Sequence, residues 1–242
     1  MNGLDGKVAL ITGADRGIGR ALARRLGSEG CRLVLHSNNE QGLRKAVADD
    51  GRPATDVLTA VHDVSDVAAV EASVAEAIAA FGRIDYLLNV AGVAFFGGVL
   101  DTTTEMWERT LRTNLTGYFV AARAVLPHMK QAGDGFVVNM SSIWGRRAAG
   151  PGGLAYSVSK WGVEGLTRAL AAEARPWGVR VSGVVLDKVD TAFSENMPGE
   201  LTAEQRGRML TVDDVVDATL AILTSSPNAH VSTIELDAWL WR

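Results

Sequence analysis

The sequence predicts an α/β fold built on a parallel sheet, and three observations lead there. Short β-branched or apolar runs alternate with longer helical stretches along the chain. Several of the runs are almost continuously hydrophobic, as strands covered by helices on both faces must be. The first run passes directly into a glycine-rich turn and then a helix.

Residues 8–11, 33–35, 84–88, 136–140, 179–185 and 231–236 read as strands. Residues 18–29 read as a helix, with Ile18, Leu22 and Leu26 four apart and Gly30 as its stop. Glu40 opens another helix, where an acidic residue suits the dipole. The Ala- and Val-rich residues 66–81 form a helix ending at Phe81-Gly82. Residues 104–130 form the longest helix, disturbed by Pro127 in its last turn. Residues 153–175, stopped by Pro176, and residues 213–224 complete the set. Strand–helix–strand repetition calls for right-handed crossovers. No linker, low-complexity tract or long-period repeat divides residues 1–242, so one domain is expected. Residues 192–211 are polar, include Pro198 and Gly199, and leave the carboxyl end of a strand, where ligands bind in such sheets. They are the expected substrate lid.

Composition narrows the function. The chain has 242 residues, 47% hydrophobic and 21% charged, which is ordinary globular usage. Its net charge of −4 lacks the basic stripe that nucleic acid requires. Cys31 is the single cysteine, so no intrachain disulfide forms, and a reducing, cytoplasmic setting is expected. The first residues are polar, and no apolar run approaches the roughly 20 residues that cross a bilayer, so neither signal peptide nor membrane contact is expected. His36, His62, His128 and His230 show no metal-binding spacing.

Gly13, Gly17 and Gly19 sit in the first strand–turn–helix, in Thr12-Gly13-Ala14-Asp15-Arg16-Gly17-Ile18-Gly19. Such glycines permit a tight turn and bring a pyrophosphate onto the free N–H groups of a helix end. After the second strand, where NAD enzymes place an acid on the ribose, stand His36-Ser37-Asn38-Asn39. Hydroxyl and amide groups there can donate to a 2′-phosphate, and Arg16 can pair with it, which favours NADP(H) over NAD(H). Further along, Tyr156 and Lys160 are spaced i, i+4 on a helix, which puts them on one face. A neighbouring ammonium favours the phenolate, making Tyr156 a candidate acid/base for a carbonyl/alcohol oxygen. Ser141 and Ser142 end a buried strand, where a hydroxyl can polarise a carbonyl. Asn114 is a poor helix former in mid-helix.

Taken together, Gly13 through Gly19, Asp63-Val64, Asn89-Val90-Ala91-Gly92, Asn114, Ser142 and Tyr156-x-x-x-Lys160 resemble the short-chain dehydrogenase/reductase family in order and spacing, over essentially the whole chain. The resemblance implies a doubly wound Rossmann sheet with strand order 3-2-1-4-5-6-7. It implies Tyr156 as acid/base, Lys160 on the nicotinamide ribose, Ser142 orienting the carbonyl rather than Ser141, and Asn114 positioning a relay water. Asp63 and Val64 would frame the adenine, and Asn89, Ala91 and Gly92 would border the cofactor. Asp15, Arg16, Gly17, Ile18, Ser37 and Asn38 belong to the cofactor's phosphate and ribose end, and Val189 and Thr191 to its nicotinamide end. A homotetramer or homodimer is implied, through the helices near 104–130 and 153–175.

Leu186-Asp187 stands where the family usually has Pro-Gly, Val90 replaces a second Asn, and the chain closes with Trp239 and Trp241. Phe95, Phe96, Trp144, Arg146, Arg147 and Asp187 follow strand ends and are candidate substrate contacts; the arginines would suit an acidic substrate. The expected function is NADP(H)-dependent hydride transfer on a small carbonyl/alcohol pair. The alternatives are a 3-oxoacyl thioester reductase and a non-catalytic NADP(H)-binding sensor or partner subunit. The intact Asn, Ser, Tyr and Lys set argues against the last.

Overall fold

Alternation of side chains along each strand lets one sheet carry two cores. In β1 (Val8–Thr12), Val8 and Leu10 face one side while Ala9 and Ile11 face the other. The computed structural model describes residues 3–50, 54–147, 152–196 and 199–241. β2 (Arg32–Ser37), β3 (Val57–Val61), β4 (Tyr86–Asn89), β5 (Gly135–Ser142), β6 (Val179–Leu186) and β7 (Thr233–Leu236) complete a parallel sheet in the order β3-β2-β1-β4-β5-β6-β7. This is the expected doubly wound order.

The helices divide between the faces. On one face, α1 (Gly17–Ser28), α2 (Glu40–Asp50) and α8 (Val212–Leu223) contribute Leu22, Leu26, Leu43, Val215 and Leu223 to the core. On the other, α3 (Val67–Phe81) and α5 (Gly117–Ala132) contribute Val70, Val74, Val125 and Met129. Ala174, the last residue of α6 (Leu154–Ala174), joins that second core. The order in which strands are added reverses between β1 and β4, which pair directly and in parallel, Ile11 opposite Leu88. That reversal opens a cleft above their carboxyl ends.

Two elements differ from expectation. β3 does not show in the hydrophobic pattern: it is an edge strand whose only buried residue is Val57, so it lacks a continuous apolar run. The long helix at 104–130 is interrupted. α4 (Thr104–Leu111) passes into a π-helical turn at Arg112–Thr116 and then into α5, which runs through Pro127 to Ala132. The extra residue per turn there leaves no trace in helical periodicity.

The 192–211 segment forms a short turn at Ala192–Asn196 and α7 (Ala203–Arg206). Its base is closed by a bridge between Val189 and Leu210. Residues 197 and 198, including Pro198, lie outside the described residues. Among the described residues, no helix is long and apolar enough to cross a membrane, and no His/Cys/Asp/Glu group could hold a metal.

Candidate active site

The glycine loop is built by close approach. A Cβ on Gly19 would stand 2.1 Å from the Gly13 carbonyl oxygen, and one on Gly13 2.8 Å from Ala91 Cα. Gly13 also has φ +66°, open to glycine at no steric cost. The Thr12 hydroxyl accepts from the backbone N–H groups of Val90 (3.0 Å) and Ala91 (3.2 Å), tying the loop to the end of β4. The start of α1 differs from those of α3, α4 and α8. Asp66, Thr103 and Thr211 cap α3, α4 and α8 with side-chain oxygens. Arg16, at the N-cap of α1, makes no side-chain cap, and the first turn holds no acid. These uncapped N–H groups face the cleft and fit a diphosphate.

At the ribose end, Asp15 gathers the neighbours. Ser37 Oγ donates to Asp15 Oδ1 (2.7 Å) and Asn39 Nδ2 to Asp15 Oδ2 (3.2 Å). Arg16 Nε stands 3.9 Å from Asp15, and its side chain is 64% exposed. The Ser37 hydroxyl is thus already committed, contrary to its expected role as a free donor. Asn38 is exposed at the cleft. Asp63 and Val64 line the same end, with Asp63 Oδ1 held by the N–H and hydroxyl of Ser65 (2.8 and 2.7 Å). His36 and His62 join them, ring to ring at 4.6 Å. Burial pulls His36 down to about 3, with His62 adding to the effect, so it packs as a neutral ring.

Tyr156 stands in the first turn of α6 and Lys160 one turn on, both lining the cleft. Burial pushes the Tyr156 phenol up to about 12, against a hydrogen bond with Ser142 that favours the phenolate. Burial pulls Lys160 down to about 7, against the opposing charge of Glu164. Its Nζ donates to the Met140 carbonyl at 2.7 Å and lies 5.7 Å from the Tyr156 ring centroid. Ser142 Oγ also accepts from Trp144 N at 3.3 Å, whereas Ser141 Oγ is buried with no hydrogen-bond partner among the described residues. Of the two serines, Ser142 meets the tyrosine.

Asn114 lies wholly buried in the π turn. Its Oδ1 accepts from Val93 N (2.8 Å), and its Nδ2 donates to Val93 O (2.9 Å) and Ser159 Oγ (3.0 Å). Ser159 Oγ in turn donates to the Tyr156 carbonyl at 2.6 Å. Asn114 therefore links the loop after β4 to the backbone of Tyr156. Its side-chain amide makes three hydrogen bonds within the protein.

Ala91, Gly92, Val189 and Thr191 line the cleft, and a Cβ on Gly17 would touch Thr191 at 3.6 Å. Asn89 does not line it. It sits behind, buried, donating to Asn139 Oδ1 (2.9 Å), because β4 turns its side chain toward β5. Phe95 is displaced from the cleft by its neighbour: Phe96 lines it, while Phe95 takes the Arg109 guanidinium over its ring at 5.5 Å. Arg146 does not line the cleft. Its Nε donates to the buried Glu164 (3.0 Å) and its Nη1 to Glu235 (2.6 Å), neutralising a carboxylate one turn beyond Lys160. Arg147 likewise pairs with Asp237 at 3.2 Å. Asp187 lines the cleft, yet its Oδ2 accepts from Ala238 N at 3.3 Å. Lys188 Nζ stands 3.5 Å from Asp187 Oδ1, an ion-pair distance without a hydrogen bond, and 4.9 Å from the Trp241 ring centroid. The carboxylate thus anchors the C-terminal tail. Trp144 lines the cleft as expected, and Phe193 and Met209 line it from the 192–211 segment; Arg109 and Thr113 line it unforeseen, because only long-range closure brings them there.

Residues 7–201 match the family described as short chain dehydrogenase. The chain is 38% identical over 201 residues to a levodione reductase of Leifsonia aquatica, covering 82% of this chain and 75% of that protein. Among solved structures it is similar to a metagenomic short-chain oxidoreductase in complex with NADP, with 33% identity, TM-score 0.83, and 97% and 98% of the two chains covered. It is also similar to a 3-ketoacyl-(acyl-carrier-protein) reductase from Brucella melitensis complexed with NADH, with 26% identity, TM-score 0.89, and coverage of 99% and 100%.

Proposed function

We propose that this chain, which belongs to the short chain dehydrogenase family, is an NADP(H)-dependent oxidoreductase for a small carbonyl/alcohol pair, with Tyr156 as acid/base. One observation carries this reading. Tyr156 is hydrogen-bonded with Ser142 and flanked by Lys160 in the same cleft as the uncapped start of α1. NADP(H), when bound, supplies or accepts the hydride. The α1 N-terminus and loop glycines bind its diphosphate. Ser142 orients the carbonyl oxygen by donating to it. Tyr156 gives that oxygen a proton in reduction and takes one in oxidation. Lys160 favours the phenolate by its charge. Asn114 and Ser159 hold the tyrosine's backbone in place.

The NADP(H) preference rests on Arg16 and Asn38, since Ser37 is bound to Asp15. The metagenomic relative in complex with NADP supports it. Arg16→Ala is expected to raise the KM for NADPH about tenfold or more, the scale of a lost hydrogen bond to a charged group. The KM for NADH should change less than about threefold. Equal effects on both would contradict the assignment. The reaction itself is tested by NADPH oxidation over a panel of ketones, aldehydes, sugars and 3-oxoacyl thioesters. Silence across the panel with tight NADPH binding would favour a cofactor-binding protein without turnover.

The 192–211 segment serves as the substrate lid, a reading supported by Ala192, Phe193, Ser194 and Met209 lining the cleft above its closed base. A homo-oligomer is supported by exposed Phe119 on α5 and exposed Leu154, Val158 and Trp161 on α6, large apolar side chains on the two helices through which assembly is proposed.

A further inference from the structure

A chain of aromatic rings runs through the catalytic tyrosine. Phe96 meets Trp144 edge to face, centroids 5.9 Å apart at 82°. Trp144 meets Tyr156 at 5.9 Å and 73°, and Tyr156 meets Phe193 at 5.7 Å and 48°. The four rings come from four separate places: after β4, after β5, the first turn of α6, and after β6. Neither helical nor strand periodicity places them together. Phe96, Trp144, Tyr156 and Phe193 are each only partly buried, and all line the cleft. They are not core residues that happen to touch. They form a preorganised apolar wall on both sides of the group that handles the proton.

We infer that the substrate is an aryl or cycloalkyl ketone, or the corresponding alcohol, with its ring seated among Phe96, Trp144 and Phe193. This rests on the proposed role of Tyr156. Rings in contact prefer offset or edge-to-face geometry over open sandwiches, and this wall presents that geometry beside the reacting oxygen. A rigid ring enters it without losing rotamer freedom, whereas an open acyl chain must be ordered to lie along it. The reaction balances as a two-electron reduction: NADPH gives hydride to the carbonyl carbon and is oxidised to NADP⁺. The carbonyl π bond becomes a C–O single bond, Tyr156 protonates the oxygen, and solvent restores the tyrosine's proton.

The test compares acetophenone with octan-2-one, ketones of equal carbon count, using the full chain and NADPH. The expected kcat/KM favours acetophenone by about tenfold or more, a scale set by ring-contact energies. Trp144→Ala and Phe193→Ala, on opposite sides of the tyrosine, are each expected to shrink that ratio about fivefold. A second readout needs no turnover. Saturation-transfer NMR on the NADP⁺-loaded protein should detect benzamide well above hexanamide, and Trp144→Ala should remove the difference. Equal use of both ketones, or ratios unchanged in both variants, overturns the ring assignment while leaving hydride transfer standing. Ring-selective binding with no turnover of any carbonyl compound supports the ring site and contradicts the reductase reading instead.

Discussion

Tyr156→Phe is expected to lower kcat about a thousandfold or more, within the range that positioned acid/base groups contribute, while the Kd for NADPH changes less than about threefold. The substitution deletes one oxygen. The ring keeps its contacts with Trp144 and Phe193, so neither the fold nor the cofactor end is disturbed. What is lost is the hydroxyl that shares a hydrogen bond with Ser142 and, in the proposed mechanism, hands the substrate oxygen its proton. Steady-state kinetics and fluorescence titration of NADPH, on the same preparation, separate the two quantities. Retained turnover would remove Tyr156 from the chemistry.

Lys160→Met should produce the second large effect, and its signature is a shifted pH profile. Burial disfavours the charged forms of both partners, moving Tyr156 up to about 12 and Lys160 down to about 7. Alcohol oxidation needs the phenolate, so its rate rises with pH toward the tyrosine's effective value. In the proposed role the Lys160 ammonium lowers that value, so without it the rising limb is expected to move to higher pH. The variant is therefore expected to lose about a hundredfold or more in alcohol oxidation near neutral pH, with the deficit narrowing as pH rises. Carbonyl reduction uses the protonated phenol, which the variant retains, so its loss should be smaller. Parallel profiles for the two proteins would contradict the electrostatic role. Stability gives an independent readout. Lys160's folded value lies below its unfolded one, so above about 7 the unfolded chain holds more protons and stability rises with pH. The penalty for burying the ammonium is full below that point. Lys160→Met should raise Tm relative to the parent more at about pH 6 than at about pH 9.

The parts legible in the sequence are those that short-range physics determines. Buried strands declare themselves by continuous apolar runs, and the glycine loop by steric need at Gly13 and Gly19. The i, i+4 spacing places Tyr156 and Lys160 together without any tertiary information. Asn114 announced trouble as a poor helix former, and it sits in the π turn. What stayed hidden depends on partners distant in the chain. Arg146 reads as an available cation until Glu164 and Glu235, 18 and 89 residues away, close on it. Ser37 reads as a free donor until Asp15, 22 residues earlier, accepts its hydrogen bond. β3 hides because an edge strand needs little apolar surface. The aromatic wall hides because its members share no period. Ser159 hides because a serine inside a helix carries no signal of the bond it makes to Asn114.

The most direct test of the account is label transfer from NADPH deuterated at the transferable nicotinamide C4 position. With Tyr156 as proton donor and the cofactor as hydride donor, the product alcohol should carry deuterium on its carbinol carbon. Unlabelled NADPH in deuterated water should place none there. Deuterium absent from that carbon with labelled cofactor, or arriving there from solvent, would contradict hydride transfer at this site.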